Sequence, residues 1–371
     1  MLKKTKKLLT KPNIFFRDYL LKKFPIKNIE QPFVESEEPL VVNLSRRLET
    51  IIEKNLVEQT NVDVVFTWVD GNDSFWKDKF SLYSGVSINA PALFAADQAR
   101  FEDHNEIYFS VQSVLKFLPW VRKIFIVTDG QIPSWYNSSY PYKDKVVLVD
   151  HQDIIPTQYL PTFNSHVIEA FLYKIPDLNE NFIYFNDDVF VARELNKSHF
   201  FQPNGLASLF LTDKSLKQMR ARGKLTATLE ASYNSLQLLQ GDYEISIDSP
   251  TVHTYFPLKK SMYELAWQKY GDEIRKFLPA KIRSKQDLNM ATFLVPWLMY
   301  LEGKASIGFD ACYYFNIRSN HSLFIYQKLL NGKRTGILPH SFCANDFHSK
   351  EEIPNYRENL LAMLKKFYHK D

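Results

Sequence analysis

Phe182-Ile183-Tyr184-Phe185-Asn186-Asp187-Asp188 sets four β-branched or aromatic residues directly before an amide and two carboxylates. So short an apolar run suits a strand buried on both faces, and its polar ending marks where the strand leaves the core. Working outward, residues 63–69 (DVVFTWV), 123–129 (KIFIVTD) and 146–150 (VVLVD) repeat the pattern. An amphipathic stretch at 105–118 and a helical segment at 164–175 separate these runs. Strands alternating with helices predict an α/β fold with a mostly parallel sheet covered on both faces. In such sheets ligands gather at the carboxyl ends of the strands. Here those ends read Asp70-Gly71-Asn72-Asp73, Thr128-Asp129-Gly130-Gln131, Asp150-His151 and Asn186-Asp187-Asp188. One such ending is an ordinary turn; four in succession mark a candidate site.

The folded body is expected from about residue 59, after a basic segment and a linker helix over 1–58. Residues 195–250 read as an insertion over the active face, with Lys214, Lys217, Arg220, Arg222 and Lys224 facing either an anionic acceptor or solvent. Helices at about 261–270, 287–302 and 354–368 complete the body. With 371 residues, 45 % hydrophobic and only 11 glycines, the chain has ample core, which excludes collagen-like and wholly disordered readings.

Residues 1–27 carry nine lysines and arginines against one acid, Asp18, while the rest of the chain nets −4. Arg17, Asp18, Lys22 and Lys23 interrupt the apolar runs before a signal-peptide core can form, so secretion is not expected. The most apolar window, 292–301, is half the length of a membrane span and contains Pro296. From Ile14 to Leu21, apolar residues between lysine clusters fit either a short helix on an anionic membrane surface or a solubilising tail. No nucleic-acid recognition fold follows the basic residues, and no nucleic-acid partner is expected.

Adjacent carboxylates at a strand end repel unless a cation lies beside them. Hard oxygen ligands suit Mg²⁺ or Mn²⁺ better than zinc. The nine histidines are scattered, and Cys312 and Cys343 read as small buried hydrophobes. There is no G-x-S-x-G elbow, P-loop or GxGxxG fingerprint, which disfavours serine hydrolases, P-loop kinases and Rossmann dehydrogenases.

Asp63-Val-Val-Phe-Thr-Trp-Val-Asp-Gly-Asn-Asp73 resembles the first signature block of the Stealth family of sugar-1-phosphate transferases. Those include bacterial capsule polymerases and the lysosomal-enzyme GlcNAc-1-phosphotransferase. The second block is similar at Arg100-Phe-Glu-Asp-His-Asn-Glu106, Pro119-Trp120-Val121-Arg122, 127–135, 160–165, Ile168-Glu169 and Asn186-Asp187-Asp188. The third matches at His253 and Arg283-Ser284-Lys285-Gln286-Asp287, and the fourth at Cys343-Ala344-Asn345-Asp346. These blocks run in order over nearly all of the body, and the basic N-terminus resembles the capsule branch.

The resemblance implies a nucleotide-binding sheet of glycosyltransferase-A or Rossmann-like type. It implies transfer of a hexose- or hexosamine-1-phosphate from a UDP-sugar, UDP-GlcNAc or similar, to a hydroxyl of a growing oligo- or polysaccharide. UMP leaves and a phosphodiester forms. By this carry-over Asp187 and Asp188 hold the Mg²⁺ or Mn²⁺ and the diphosphate, joined by Asp346. Arg283 clamps phosphoryl oxygens unless it pairs with Asp287 across one helical turn. Glu169 and His253 are the general-base candidates, and Asp188 counts with them as catalytic. Asp70, Arg100, Asn105, Asn164 and Asp287 are nucleotide or sugar contacts, while Trp68, Trp120 and Trp135 pack the core nearby. The expected setting is cytoplasmic, and residues 1–27 leave open either peripheral attachment to the inner membrane or a solubilising tail. Two other readings use the same residues: a metal-dependent glycosyltransferase releasing UDP, and an inactive carbohydrate- or nucleotide-binding module.

Overall fold

The computed structural model describes residues 2–23, 61–84, 101, 103–246, 248–347 and 352–369. The expected linker helix within 28–58, and Arg100, lie outside them. Four of the sequence-predicted strands form one sheet: β1 (Val62–Thr67), β2 (Ile124–Thr128), β3 (Val146–Asp150) and β4 (Asn181–Asn186). All are parallel, in the order β3-β2-β1-β4, and Val64 stands between Ile124 and Ile183 at the centre. β5 (Val189–Val191) and β6 (Ala207–Leu209) follow, then β7 (Phe256–Lys259), which closes the first sheet as an antiparallel edge beside β4. The expectation of a mostly parallel α/β sheet is met.

Beyond the last parallel strand the chain builds structure that short-range patterning did not show. β8 (Ala305–Ile307) pairs with β6. β9 (Cys312–Asn316) and β10 (Ser341–Asn345) run parallel, and β10 takes β5 as its antiparallel neighbour, giving a second sheet in the order β5-β10-β9. Its own core includes Phe190, Phe315 and Phe342. β4 and β5 are separated only by Asp187 and Asp188, so the acidic pair lies where the chain steps from one sheet to the other.

Several helices depart from their expected bounds. The segment 164–175 is a short helix, Ser165–Glu169, followed by a 3₁₀ turn, Leu172–Lys174. Residues 287–302 begin as a π-turn, Met290–Leu294, and become helical over Val295–Leu301. Residues 278–289 are not helical, which removes the one-turn Arg283–Asp287 pairing considered from spacing alone. Within residues 195–250 lies a long helix, Ala227–Tyr243, that braces this loop: the Asn234 amide donates to the carbonyls of Lys285 and Asp287 at 2.9 and 3.0 Å. Among the described residues no helix is long and apolar enough to cross a membrane.

Candidate active site

The acidic pole sits at the end of β4. Asp188 faces β10, where the Cys343 thiol and the Asn345 amide donate to its Oδ2 at 3.3 and 3.1 Å. Ligand atoms of Asp188, His253 and Cys343 lie within 4.8 Å of one another. Asp188 Oδ1 is buried with no hydrogen-bond partner among the described residues. Burial, then the charges of Asp188 and Asp103, push the Asp187 carboxyl up to about 8. Burial, Asp187 and Asp103 also push Glu106 well up. A bare cluster of this kind relieves its repulsion by holding protons or by holding a cation. The orphaned Asp188 oxygen and the crowded Asp187 carboxyl therefore fit a divalent ion.

Two sequence expectations change here. The resemblance has Asp346 joining the acidic pair. Instead both of its oxygens are engaged by the Arg318 guanidinium, and His104 Nε2 lies 3.0 Å from Oδ2. Against the opposing effect of burial, His104 and Arg318 hold the Asp346 carboxyl below its ordinary value. A carboxylate neutralised in this way is a poor metal ligand. Cys343, read as a buried hydrophobe, makes a polar contact with Asp188 instead. β10 thus contributes Cys343 and Asn345, and Asp346 fastens the strand's end.

The second pole centres on Glu169, the last residue of its short helix and 5 % exposed. Burial raises its carboxyl to about 7, although Arg283, Tyr184 and Ser165 all act to lower it. Arg283 Nη2 and Nη1 donate to Ser165 Oγ at 2.8 Å and Thr228 Oγ1 at 3.1 Å, so two hydroxyls set the plane of its guanidinium. Tyr184 connects the poles. Its hydroxyl lies 3.5 Å from Glu169 Oε1, 3.0 Å from Asn186 Oδ1 and 2.9 Å from Thr67 Oγ1. Sequence reasoning missed Tyr184, yet a signal existed: it stands two residues before Asn186, on the same face of β4.

Asn164 and Asp287, expected as substrate contacts, are fully buried and bonded to each other. The Asn164 amide donates to Asp287 Oδ2 at 2.9 Å. His166 Nδ1 lies at 2.9 Å from the same oxygen, and the Ser284 hydroxyl donates to Oδ1 at 2.6 Å. This knot ties the Glu169 helix to the Arg283 loop, so both residues position the site rather than line it.

A cleft of about 380 Å³ opens at the ends of β1 and β2, lined by Trp68, Asp70, Phe75, Lys79, Asp129 and Ile132 among others. Asp70 shapes its floor: Oδ1 accepts from Asn72 N at 2.8 Å, and its backbone exchanges two hydrogen bonds with the Gln131 amide. Gly71 donates to the Phe101 carbonyl at 2.7 Å, an approach that would put any Cβ 2.2 Å from that oxygen. Phe75 and Ile132 stand 82 % and 69 % exposed at the rim, joined by the Lys79–Asp129 ion pair at 2.9 Å. Asn105, in a left-handed conformation that asparagine tolerates, starts the helix Glu106–Phe117. The end of β3 is structural, because Asp150 caps the helix His151–Ile154. Trp68 walls the cleft, Trp120 donates to the Leu195 carbonyl at 2.8 Å, and Trp135 packs against Tyr140.

Residues 100–209 match the family model described as Stealth protein CR2, conserved region 2. A capsular polysaccharide phosphotransferase of Actinobacillus suis is 59 % identical over 368 residues, covering 99 % of each chain. The capsular polysaccharide phosphotransferase LcbA of Neisseria meningitidis is 51 % identical over 368 residues, covering 99 % of this chain and all of that one. Among solved structures, the galactosyltransferase LgtC in complex with donor and acceptor sugar analogues is similar at a TM-score of 0.38 and 10 % identity, over 83 % of this chain and 97 % of that one. Near end-to-end identity above one half, with the conserved region spanning Glu169 and the acidic pair, makes the chain a member of the Stealth family, in its bacterial capsular phosphotransferase branch.

Proposed function

We propose that this chain transfers a hexose- or hexosamine-1-phosphate from a UDP-sugar, UDP-GlcNAc or a near relative, to a hydroxyl of a growing capsular polysaccharide in the cytoplasm, releasing UMP. The names of its relatives support a phosphotransferase in capsule synthesis. The observation that carries the finer reading is the Tyr184 hydroxyl, which touches Glu169 on one side and Asn186 beside the acidic pair on the other. A base tuned near neutrality is thereby linked through Tyr184 to Asn186, the residue that precedes the carboxylate pair.

In this reading the acceptor hydroxyl gives its proton to Glu169, whose affinity near pH 7 suits it to that task. The hydroxyl oxygen forms a bond to the β-phosphorus. The bond from that phosphorus to the oxygen bridging it to the α-phosphate breaks, and its electron pair leaves with UMP. Arg283, oriented by Ser165 and Thr228, faces the equatorial phosphoryl oxygens as negative charge shifts among them. Asp187 and Asp188 would hold a Mg²⁺ or Mn²⁺ ion, with His253 and Cys343 within reach, and the ion would neutralise the diphosphate. His253 thus serves the acidic pole and Glu169 is the base. The rim of Phe75 and Ile132 over the polar floor of the cleft suits the uridine.

The test is to incubate the chain with Mg²⁺, a panel of UDP-sugars and short phosphodiester-linked primers, and to identify the released nucleotide by anion-exchange chromatography. UMP is expected; UDP would replace this reading with ordinary glycosyl transfer.

A further inference from the structure

The helix Pro12–Lys23 has two apolar faces on opposite sides. Ile14, Arg17, Asp18 and Leu21 recur at helical spacing and face the body. Ile14 is 4 % exposed and closes on Gly303, where an added Cβ would lie 3.0 Å from it. Arg17 donates to the carbonyls of Tyr300 and Ala305 at 2.6 and 2.8 Å, with its guanidinium 3.5 Å above the Tyr300 ring. The Tyr300 hydroxyl donates to Asp18 at 2.8 Å, and Lys11 pairs with Glu302 at 3.1 Å. These contacts dock the helix at a fixed orientation, which a loose solubilising tail would not require.

Phe16, Tyr19, Leu20 and Lys23 follow the same spacing on the opposite side. Phe16, Tyr19 and Leu20 are 56, 58 and 53 % exposed, and Leu9 of the preceding helix is 77 % exposed. Lys6, Lys22 and Lys23 are exposed around them. A helix held in place only to stabilise the body would turn polar side chains outward.

We propose that this outer face docks on an anionic lipid bilayer. Phe16, Tyr19 and Leu20 enter the interfacial layer, and the lysines meet the headgroups. Charge complementarity selects this occupant. Two copies of the face would bring together segments that each carry nine basic residues and one acid, whereas an acidic headgroup layer neutralises them. The attachment is independent of which nucleotide the enzyme releases.

The test is flotation of the full chain with phosphatidylcholine vesicles, with and without phosphatidylglycerol. The chain should float with the anionic vesicles, not the neutral ones, and less as salt rises. The triple variant Phe16→Ser/Tyr19→Ser/Leu20→Ser should lose flotation by about tenfold or more, with turnover of soluble donor and primer unchanged. A Phe16→Trp variant, which leaves the docked face intact, should show quenching by brominated anionic lipid beyond that of the wild type. The proposal is overturned if the wild type stays at the bottom of the gradient with anionic vesicles, or if the fluorescence added by Phe16→Trp is not quenched. It is equally overturned if the triple variant instead turns a dimer into a monomer by sedimentation, because a second copy would then cover the face.

Discussion

Glu169 shows most clearly how one side chain's surroundings set its chemistry. Its carboxyl titrates near 7 in the fold against an ordinary 4.5, because burial outweighs Arg283, Tyr184 and Ser165. The folded state therefore binds the proton more tightly. Stability falls as pH rises from about 4.5 to 7, and the whole cost, on the order of 3 kcal/mol, is present above that window. Glu169→Gln removes the titration. It should raise resistance to urea at pH 8 relative to the wild type, shrink that advantage at pH 5, and cut turnover by about 10²-fold or more while donor binding persists. Wild-type turnover should climb with pH through about 7, since only the ionised form accepts the proton. Near-normal turnover of the Gln variant would remove Glu169 as the base. At the other pole, Asp188→Asn should abolish thermal stabilisation by Mn²⁺, whereas Asp346→Asn should keep it and lower stability instead, because the carboxylate charge that faces Arg318 and His104 is lost while Glu352 remains on the guanidinium. Equal loss of metal response in both would return Asp346 to the ligand set.

At the scale of elements, the loop 281–289 matters more than its length suggests. It has no regular hydrogen-bond ladder, so Asp287 and Asn234 hold it, and it in turn holds Arg283. Asp287→Ala would remove the buried carboxylate that His166, Asn164 and Ser284 share, and should cost about 3–5 kcal/mol in equilibrium unfolding. Asp287→Asn should fold better yet still lose kcat, because it cannot take all of the same donors. If Asp287→Asn instead raised KM alone, Asp287 would be a substrate contact, as the family resemblance implies. The strands of the parallel sheet were legible because each is a compact apolar run ending in polar residues, a pattern imposed by burial on both faces. β9 and β10 were not, because CYYFN and SFCAN are defined by pairing across about thirty residues rather than by local period. The helix foreseen over 164–175 breaks after Glu169, where Phe171 leaves helical geometry, and the chain resumes only as a 3₁₀ turn before Pro176 bars any continuation. The acidic pair could be named from the residues themselves, and Glu169, His253 and Arg283 from the family resemblance. The role of Asp346 could not, since nothing near it in sequence announces Arg318 and His104.

Across the whole molecule, the site arises where two sheets share one chain step, β4 to β5. The parallel sheet supplies the cleft at the ends of β1 and β2 and the Tyr184 bridge. The second sheet supplies Cys343 and Asn345, and Thr228 of the helix Ala227–Tyr243 props Arg283. Each contribution therefore comes from a different layer, and in the proposed reaction these layers converge on the β-phosphorus of the donor rather than on the sugar's anomeric carbon. The most direct measurement follows that atom: a UDP-sugar radiolabelled at the β-phosphorus is turned over with primer, and polymer and nucleotide are separated. Label in the polymer, with unlabelled UMP, is the predicted result. Label retained in UDP, with an unlabelled polymer, would contradict it.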